Sequence, residues 1–220
     1  MSNNLPARLG KDGRVHGETC LTAIGAIAGF AAQRALFNRL VEADDKAQMA
    51  EIRTIRTQDG AEYFVGEPIN RALVPATPAE AKLRLWSLAA SGAVAAGLDQ
   101  ADLPKLDDMF VHVAKTIGGE QEGLPSVPER HQPQAPVRTL LATVWPLAIM
   151  CFKGSFPGAE KEYGTASMKF WPVIAGYAAN AFIRKMKPIL DPRTGLVLVM
   201  EAAIYASKLN PAVAQAKPQN

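Results

Sequence analysis

Apolar positions recur at intervals of three and four residues along most of the chain, a spacing typical of amphipathic helices. In the segment 19–41, for example, Leu21, Ile24 and Ala28 fall on one face. The same pattern predicts five further helices, over about 77–97, 104–117, 137–152, 171–183 and 192–208. Helices therefore account for most of the regular structure that the sequence predicts.

One segment instead carries the pattern of a β-hairpin. Two runs rich in β-branched and aromatic residues, EIRTIRT (51–57) and EYFVG (62–66), flank the pair Asp59-Gly60, which favours a tight turn. A two-stranded hairpin is only marginally stable alone, so it is expected to lie on the helices. We therefore predict a mainly α protein, a compact helical bundle of about six to eight helices with one small β-hairpin.

Two helix starts have clear local signals. Thr77, Pro78 and Glu80 form a capping box with proline in the first turn, and a helix is predicted to begin there. Asp191 and Pro192 give the last helix an N-cap and a proline at its first position.

Small residues mark the first half of the first helix. Gly25 and Gly29 are four residues apart, which lets a second helix approach closely. In a membrane this spacing marks a dimer face, whereas in a soluble, alanine-rich helix it favours tight packing in the core. We expect core packing here.

The run VWPLAIMCF, residues 144–152, is apolar throughout and contains Pro146. Proline inside a helix removes one hydrogen bond and clashes with the preceding turn. Either one helix kinks there, or a short helix ends and a second begins with proline. We expect a buried helical pair hinged at Trp145-Pro146, which lies in the core or partly in an interface between chains.

The length of 220 residues favours one compact unit. We predict a flexible N-terminal arm over 1–17, a single helical domain over 18–210 and a loose C-terminal tail over 211–220. Within the domain, residues 118–136 hold four prolines and three glycines and show no periodicity. Connections of this length are usually lids, binding loops or disordered segments.

Composition removes several classes of function. The net charge of +3 comes with no concentrated run of Lys and Arg, which disfavours nucleic-acid binding. A third hypothesis, a nucleic-acid or acidic-surface binder, would use Arg8, Lys11 and Arg14 of the arm. The charge-free stretches are all shorter than the ~20 residues of a membrane-spanning helix, so no membrane span is predicted. Cys20 and Cys151 lie in apolar runs and outside any C-x-x-C pair, which favours two buried thiols, while a disulfide between them stays open at this point. With no signal-peptide pattern, a soluble, cytoplasmic protein is predicted.

Familiar catalytic and cofactor motifs are missing from the sequence, including phosphate-binding loops, zinc cysteines and the serine nucleophile elbow. No cofactor and no metal are predicted. Asp108, His112 and Lys115 share one face of a predicted helix, but the opposite face is apolar, so we assign them to the solvent side.

Four residues are the candidates for a ligand-binding site. Glu129 and His131 lie in the loop 118–136, where functional side chains tend to concentrate. Arg71 and Glu201 would supply further polar groups. Glu201 stands one turn before Tyr205 in an apolar helix, so it is either a buried acid or, as we favour, a carboxylate at the rim near Lys208.

Two functions remain compatible with these patterns. Several predicted helices lack a wholly polar face, which favours an interaction or regulatory protein that forms a homo-oligomer through the helix 19–41 or 171–183. The alternative is an enzyme or small-molecule-binding protein with its site under the loop 118–136.

Overall fold

The computed structural model describes residues 16–75, 77, 81–155 and 164–212. This part of the chain forms eight α-helices and one antiparallel hairpin, which confirms the predicted fold class. The helices are α1 (Gly17–Glu42), α2 (Lys46–Ala50), α3 (Glu67–Leu73), α4 (Leu85–Ala95), α5 (Leu106–Thr116), α6 (Val137–Phe152), α7 (Trp171–Met186) and α8 (Pro192–Ala206). The strands are β1 (Arg53–Arg56) and β2 (Glu62–Val65). Short 3₁₀ turns cover Ala81–Leu83, Gln100–Asp102, Glu129–His131 and Met168–Phe170.

Helix α1 is the centre of the bundle. It packs against α8, α7 and α6, and its first half is buried on every side. By length and composition α1 could also cross a membrane, although the sequence predicted no span. However, 83% of its most apolar 18-residue window is buried inside the protein, as in the core helix of a soluble protein.

The two small residues of α1 lie at its crossing with α8. A Cβ atom on Gly25 would overlap the backbone of Val199, and one on Gly29 would overlap the backbone of Ala203. The close approach brings the backbones of both helices together and leaves no room for a larger side chain. The prediction of tight core packing is confirmed.

The β-hairpin lies on the end of α8, as its marginal stability requires. Strand β1 pairs antiparallel with β2, with Thr54 opposite Phe64. On the other edge of β2, the N–H of Phe64 donates to the carbonyl of Lys208 at 2.7 Å, and Tyr63 forms a bridge to Leu209. The hairpin is thus joined by backbone hydrogen bonds to the residues that follow α8.

Pro146 does not divide its helix, because α6 runs continuously from Val137 to Phe152. The buried side of α6 joins an aromatic cluster. The ring of Trp145 meets Phe30 edge-on at 4.7 Å between centroids, and Phe152 stacks on Trp171 at 4.8 Å. The apolar run 144–152 is therefore largely core.

Two boundary predictions need correction or fall outside the described residues. Helix α4 begins at Leu85 rather than Thr77, because Arg84 is extended and the described residues just before it, Ala81–Leu83, form a 3₁₀ turn. Pro78 and Glu80 of the predicted capping box lie outside the described residues, as do 1–15 of the predicted arm and 213–220 of the tail. Helix α8 begins as predicted, since the Asp191 carboxylate accepts from the N–H groups of Arg193 and Thr194.

Candidate functional site

The loop 118–136 packs against the helices and is held there by side-chain hydrogen bonds. Its only helical segment is the 3₁₀ turn Glu129–His131. Gln132 donates to the carbonyls of Pro125 and Val127, which folds the loop on itself. Three contacts then join it to the helices, at Glu122, at Ser126 and at His131.

The first contact is a network around Glu122. Its Oε1 atom accepts from the hydroxyls of Tyr63 and Tyr205 and from Nη2 of Arg138, and its Oε2 atom accepts from the N–H of Gly118. Burial alone would raise the pKa of Glu122, but these hydrogen bonds and the positive charge of Arg138 lower it overall. This carboxylate is ionised and well satisfied, which suits a structural anchor.

The second contact is between Ser126 and Glu201. The Glu201 carboxylate accepts from the backbone N–H and from the hydroxyl of Ser126. Nε2 of His112, in α5, lies 3.7 Å from the Oε2 atom of Glu201 and 2.9 Å from the carbonyl oxygen of Leu124. A carboxylate, a hydroxyl and an imidazole from three parts of the chain therefore meet at one point.

Glu201 is only 3% exposed, so the expected rim carboxylate near Lys208 is wrong. Burial raises the pKa of Glu201, and the hydrogen bonds from Ser126 and the nearby His112 offset this only in part. A buried carboxyl with a raised pKa can exchange a proton closer to neutrality than an exposed one.

A cavity of about 330 Å³ opens beside Glu201. Its walls come from the start of α5, from the loop and from the first turns of α8, and Glu201 and Ser126 are part of its lining. Charged groups also line it: Lys105 and Arg193 bring positive charge and Asp108 brings negative charge. A cavity of this size, with several polar groups that converge on it, has the form of a small-molecule site.

The third contact involves His131, one of the predicted site residues. Its Nδ1 atom lies 3.0 Å from Oε1 of Glu18 in the first turn of α1. Close by, the hydroxyl of Thr19 accepts from the N–H of Gln134. Glu129 is exposed at the surface of the same turn. Both predicted loop residues are thus outside the lining of the cavity beside Glu201.

Arg71, the fourth predicted residue, lies elsewhere, in a separate groove bounded by α1 and α3. Its Nε atom is 3.1 Å from Oε1 of Glu67. The structure therefore places the four predicted residues at three locations. Within the described parts of the chain, no group of three or more His, Cys, Asp and Glu side chains could hold a metal ion.

Two partners of Glu201 were not predicted from sequence. His112 was assigned to the solvent side of α5, and this is wrong, because its ring turns towards Leu124 and Glu201. Asp108 and Lys115 are exposed as expected. Ser126 carried no signal beyond its position in the loop 118–136.

A different kind of surface lies on the outer face of α7 and at the end of the 3₁₀ turn before it. Phe170, Ile174 and Tyr177 follow one another at helical spacing and are 46%, 37% and 57% exposed. The opposite face of α7 is buried in the bundle. We call these three residues the α7 face.

Comparison with known proteins found no family, no curated protein and no solved structure that matches this chain. We therefore infer function from the chain's own residues.

Proposed function

We propose that this helical protein is an interaction protein that forms a homo-oligomer through the α7 face. The observation that carries the proposal is the exposed apolar stripe of Phe170, Ile174 and Tyr177 on a helix whose other side is core. Large apolar side chains that adjoin one another on a rigid helix are typical of a contact surface. Helix α1, the other expected interface helix, supports this assignment less, because its first half is buried within the chain.

The charges around the α7 face define how two copies can meet. Residues 164–190 contain four Lys and Arg and no Asp or Glu. Lys169 precedes the apolar stripe, and Arg184 and Lys185 follow it. Two copies related by a two-fold axis near Ile174 would bring their apolar centres together, and a steep crossing angle would keep the cationic ends apart. Burial of the apolar side chains of the α7 face would then drive association, and repulsion between the positive charges of the two copies would oppose it.

Sedimentation velocity at increasing protein concentration tests this proposal. We expect the wild-type protein to self-associate, and the double variant Ile174→Lys, Tyr177→Lys to be monomeric. The matched control is Val41→Lys, because Val41 is 70% exposed on the last turn of α1, and this variant should associate as the wild type does. Added NaCl should strengthen the association, because it screens the cationic ends.

Either of two results would contradict self-association through the α7 face. One is a wild-type protein that stays monomeric at about 100 µM, well above the concentrations at which specific oligomers usually form. The other is a double variant that associates as the wild type does. An association that weakens as salt is added would instead indicate attraction between opposite charges and would also count against this arrangement.

A second candidate function rests on the buried Glu201 and its cavity. We propose, as the alternative, that the protein is an enzyme or a binding protein for a small polar molecule that contacts Glu201 and Ser126. Native mass spectrometry of the purified protein tests this. A retained small molecule that is lost in Glu201→Gln, but kept in Glu129→Gln, would support the site. A wild-type spectrum of bare mass, or the same added mass in both variants, would contradict it.

A further inference from the structure

A second concavity, larger than the one beside Glu201, lies on another part of the bundle. It has a volume of about 580 Å³ and lies between the second half of α1, helix α3 and the starts of α4 and α7. We propose that this groove binds a small organic anion that combines an acidic head with an apolar body. None of the three residues of the α7 face lines the groove, and the proposal goes beyond the proposed function.

Positive charge converges on the groove from separate elements. Arg39 comes from α1, Arg71 from α3 and Lys169 from the 3₁₀ turn before α7, and Arg84 also lines the groove. Glu42 is the one acidic residue among the described residues that line it. Guanidinium groups favour carboxylate and phosphate heads because they offer paired N–H donors. The lining therefore selects an anion over a neutral or cationic molecule.

The present partners of Arg39, Arg71 and Lys169 are weak and exposed. Arg39 donates to the neutral amide of Gln48, and the pair of Arg71 and Glu67 is exposed on both sides. Lys169 lies over the ring of Phe170 at 5.0 Å. Exposed pairs of this kind contribute little to stability, typically about 0–1 kcal/mol. A bound anion can therefore replace them at small cost.

Apolar side chains form a further part of the lining, beside the polar Asn38, Gln48 and Ser167. The small or rigid side chains on this side of the groove are those of Ala32, Ala35, Leu36, Pro68, Ala72 and Pro172. They offer an apolar wall beside the charged groups, so the ligand's body can leave water while its head meets the arginines. The volume lies within the range of about 300–1,000 Å³ that is usual for small-molecule sites.

Titration calorimetry with octyl phosphate tests the proposal, because this probe has one acidic head and one short apolar chain. Inorganic phosphate has only the acidic head of the probe and octanol has only its apolar chain, so these two compounds are the ligand controls. We expect saturable binding of octyl phosphate at one molecule per chain, and much weaker binding of both halves. The double variant Arg39→Gln, Arg71→Gln should weaken binding by about tenfold or more, which is about 1.4 kcal/mol.

The matched control removes two exposed cations from other places, with Arg53→Gln and Lys115→Gln. It changes the net charge by the same amount and should bind octyl phosphate as the wild type does. Thermal melts of both variants show that the fold is kept. Any of three results overturns the proposal. The wild type does not bind octyl phosphate, or it binds octanol as tightly as octyl phosphate, or the control variant loses as much affinity as the groove variant.

Discussion

Glu201 in α8 accepts hydrogen bonds from both the backbone N–H and the hydroxyl of Ser126 in the loop 118–136. The two residues are 75 positions apart in sequence, so this contact ties the loop to a buried helix of the core. Because the carboxyl is buried, its protonation state is coupled to the stability of the folded protein. The titration of Glu201 is therefore visible in the free energy of unfolding.

The variant Glu201→Gln should change the pH dependence of stability. The folded-state pKa of Glu201 is raised, so its protonated form stabilises the fold fully below the unfolded value of about 4.3. That contribution is lost as pH rises through the folded pKa. Compared with Glu201→Gln, the free energy of unfolding of the wild type should fall by up to about 1.4 kcal/mol per pH unit between the unfolded-state and the folded-state pKa of Glu201.

Urea unfolding of both proteins across the acidic and neutral range measures this difference. The exposed Glu129→Gln is the matched control and should follow the wild type at every pH. A difference between wild type and Glu201→Gln that stays constant with pH would show that Glu201 titrates normally in the folded protein.

Glu122 should behave in the opposite way. Its folded-state pKa is lowered, so its ionised form contributes stability above the unfolded value of about 4.3, and this is lost as pH falls through the folded pKa. At neutral pH, Glu122→Gln should cost about 2 kcal/mol, because hydrogen bonds to a charged group and the ion pair with Arg138 are lost.

The difference in free energy of unfolding between the wild type and Glu122→Gln should become smaller as the pH is lowered. Urea unfolding of both proteins at several pH values measures this difference. The nearby exposed Glu120→Gln serves as the control and should be neutral. Equal stability of Glu122→Gln and wild type at neutral pH would mean that the network around Glu122 does not anchor the loop.

The fold could be predicted from sequence because its signals are local. Helical periodicity, the Asp191 cap and the pair Asp59-Gly60 each act within a few residues, and all three are realised in the structure. Thr77 shows the limit of such signals. Its capping pattern predicts a helix from Thr77, yet Arg84 is extended and the α-helix begins at Leu85.

The site was harder to predict because its contacts are distant in sequence. Glu201 shares the less apolar side of α8, and helical periodicity alone assigns that side to solvent. The loop 118–136 covers it, but a segment without periodicity gives no sign of where it packs. For the same reason His112 was assigned to solvent, although its partners are Leu124 and Glu201.

The two cysteines should differ in reactivity. Both are free thiols, and Cys20 is fully buried while Cys151 is half-buried. Burial raises the pKa of Cys20 to about 11, and only the thiolate reacts readily with iodoacetamide. In the native protein, mass spectrometry should show alkylation at Cys151 well before Cys20. In guanidinium chloride the two rates should become similar. Equal alkylation rates of the two cysteines in the native state would mean that α1, which contains Cys20, becomes exposed to solvent easily.

The crossing of α1 and α8 should be intolerant of any added side chain. A methyl group at Gly29 would overlap the backbone of Ala203, so Gly29→Ala forces the two helices apart. Overpacking of this kind costs about 1–3 kcal/mol, which exceeds the gain of up to about 1 kcal/mol from alanine's higher helix propensity. Urea unfolding should therefore show a less stable protein.

Gly119→Ala is the control for that experiment. Its new methyl group would meet its nearest neighbour, the carbonyl oxygen of Thr116, at 3.4 Å, which is an ordinary contact. Gly119→Ala should change stability little, whereas Gly25→Ala, at the same crossing, should resemble Gly29→Ala. If Gly29→Ala were as stable as the wild type, the close approach of α1 and α8 could not be a rigid feature of the core, since the helices would have to separate at no cost.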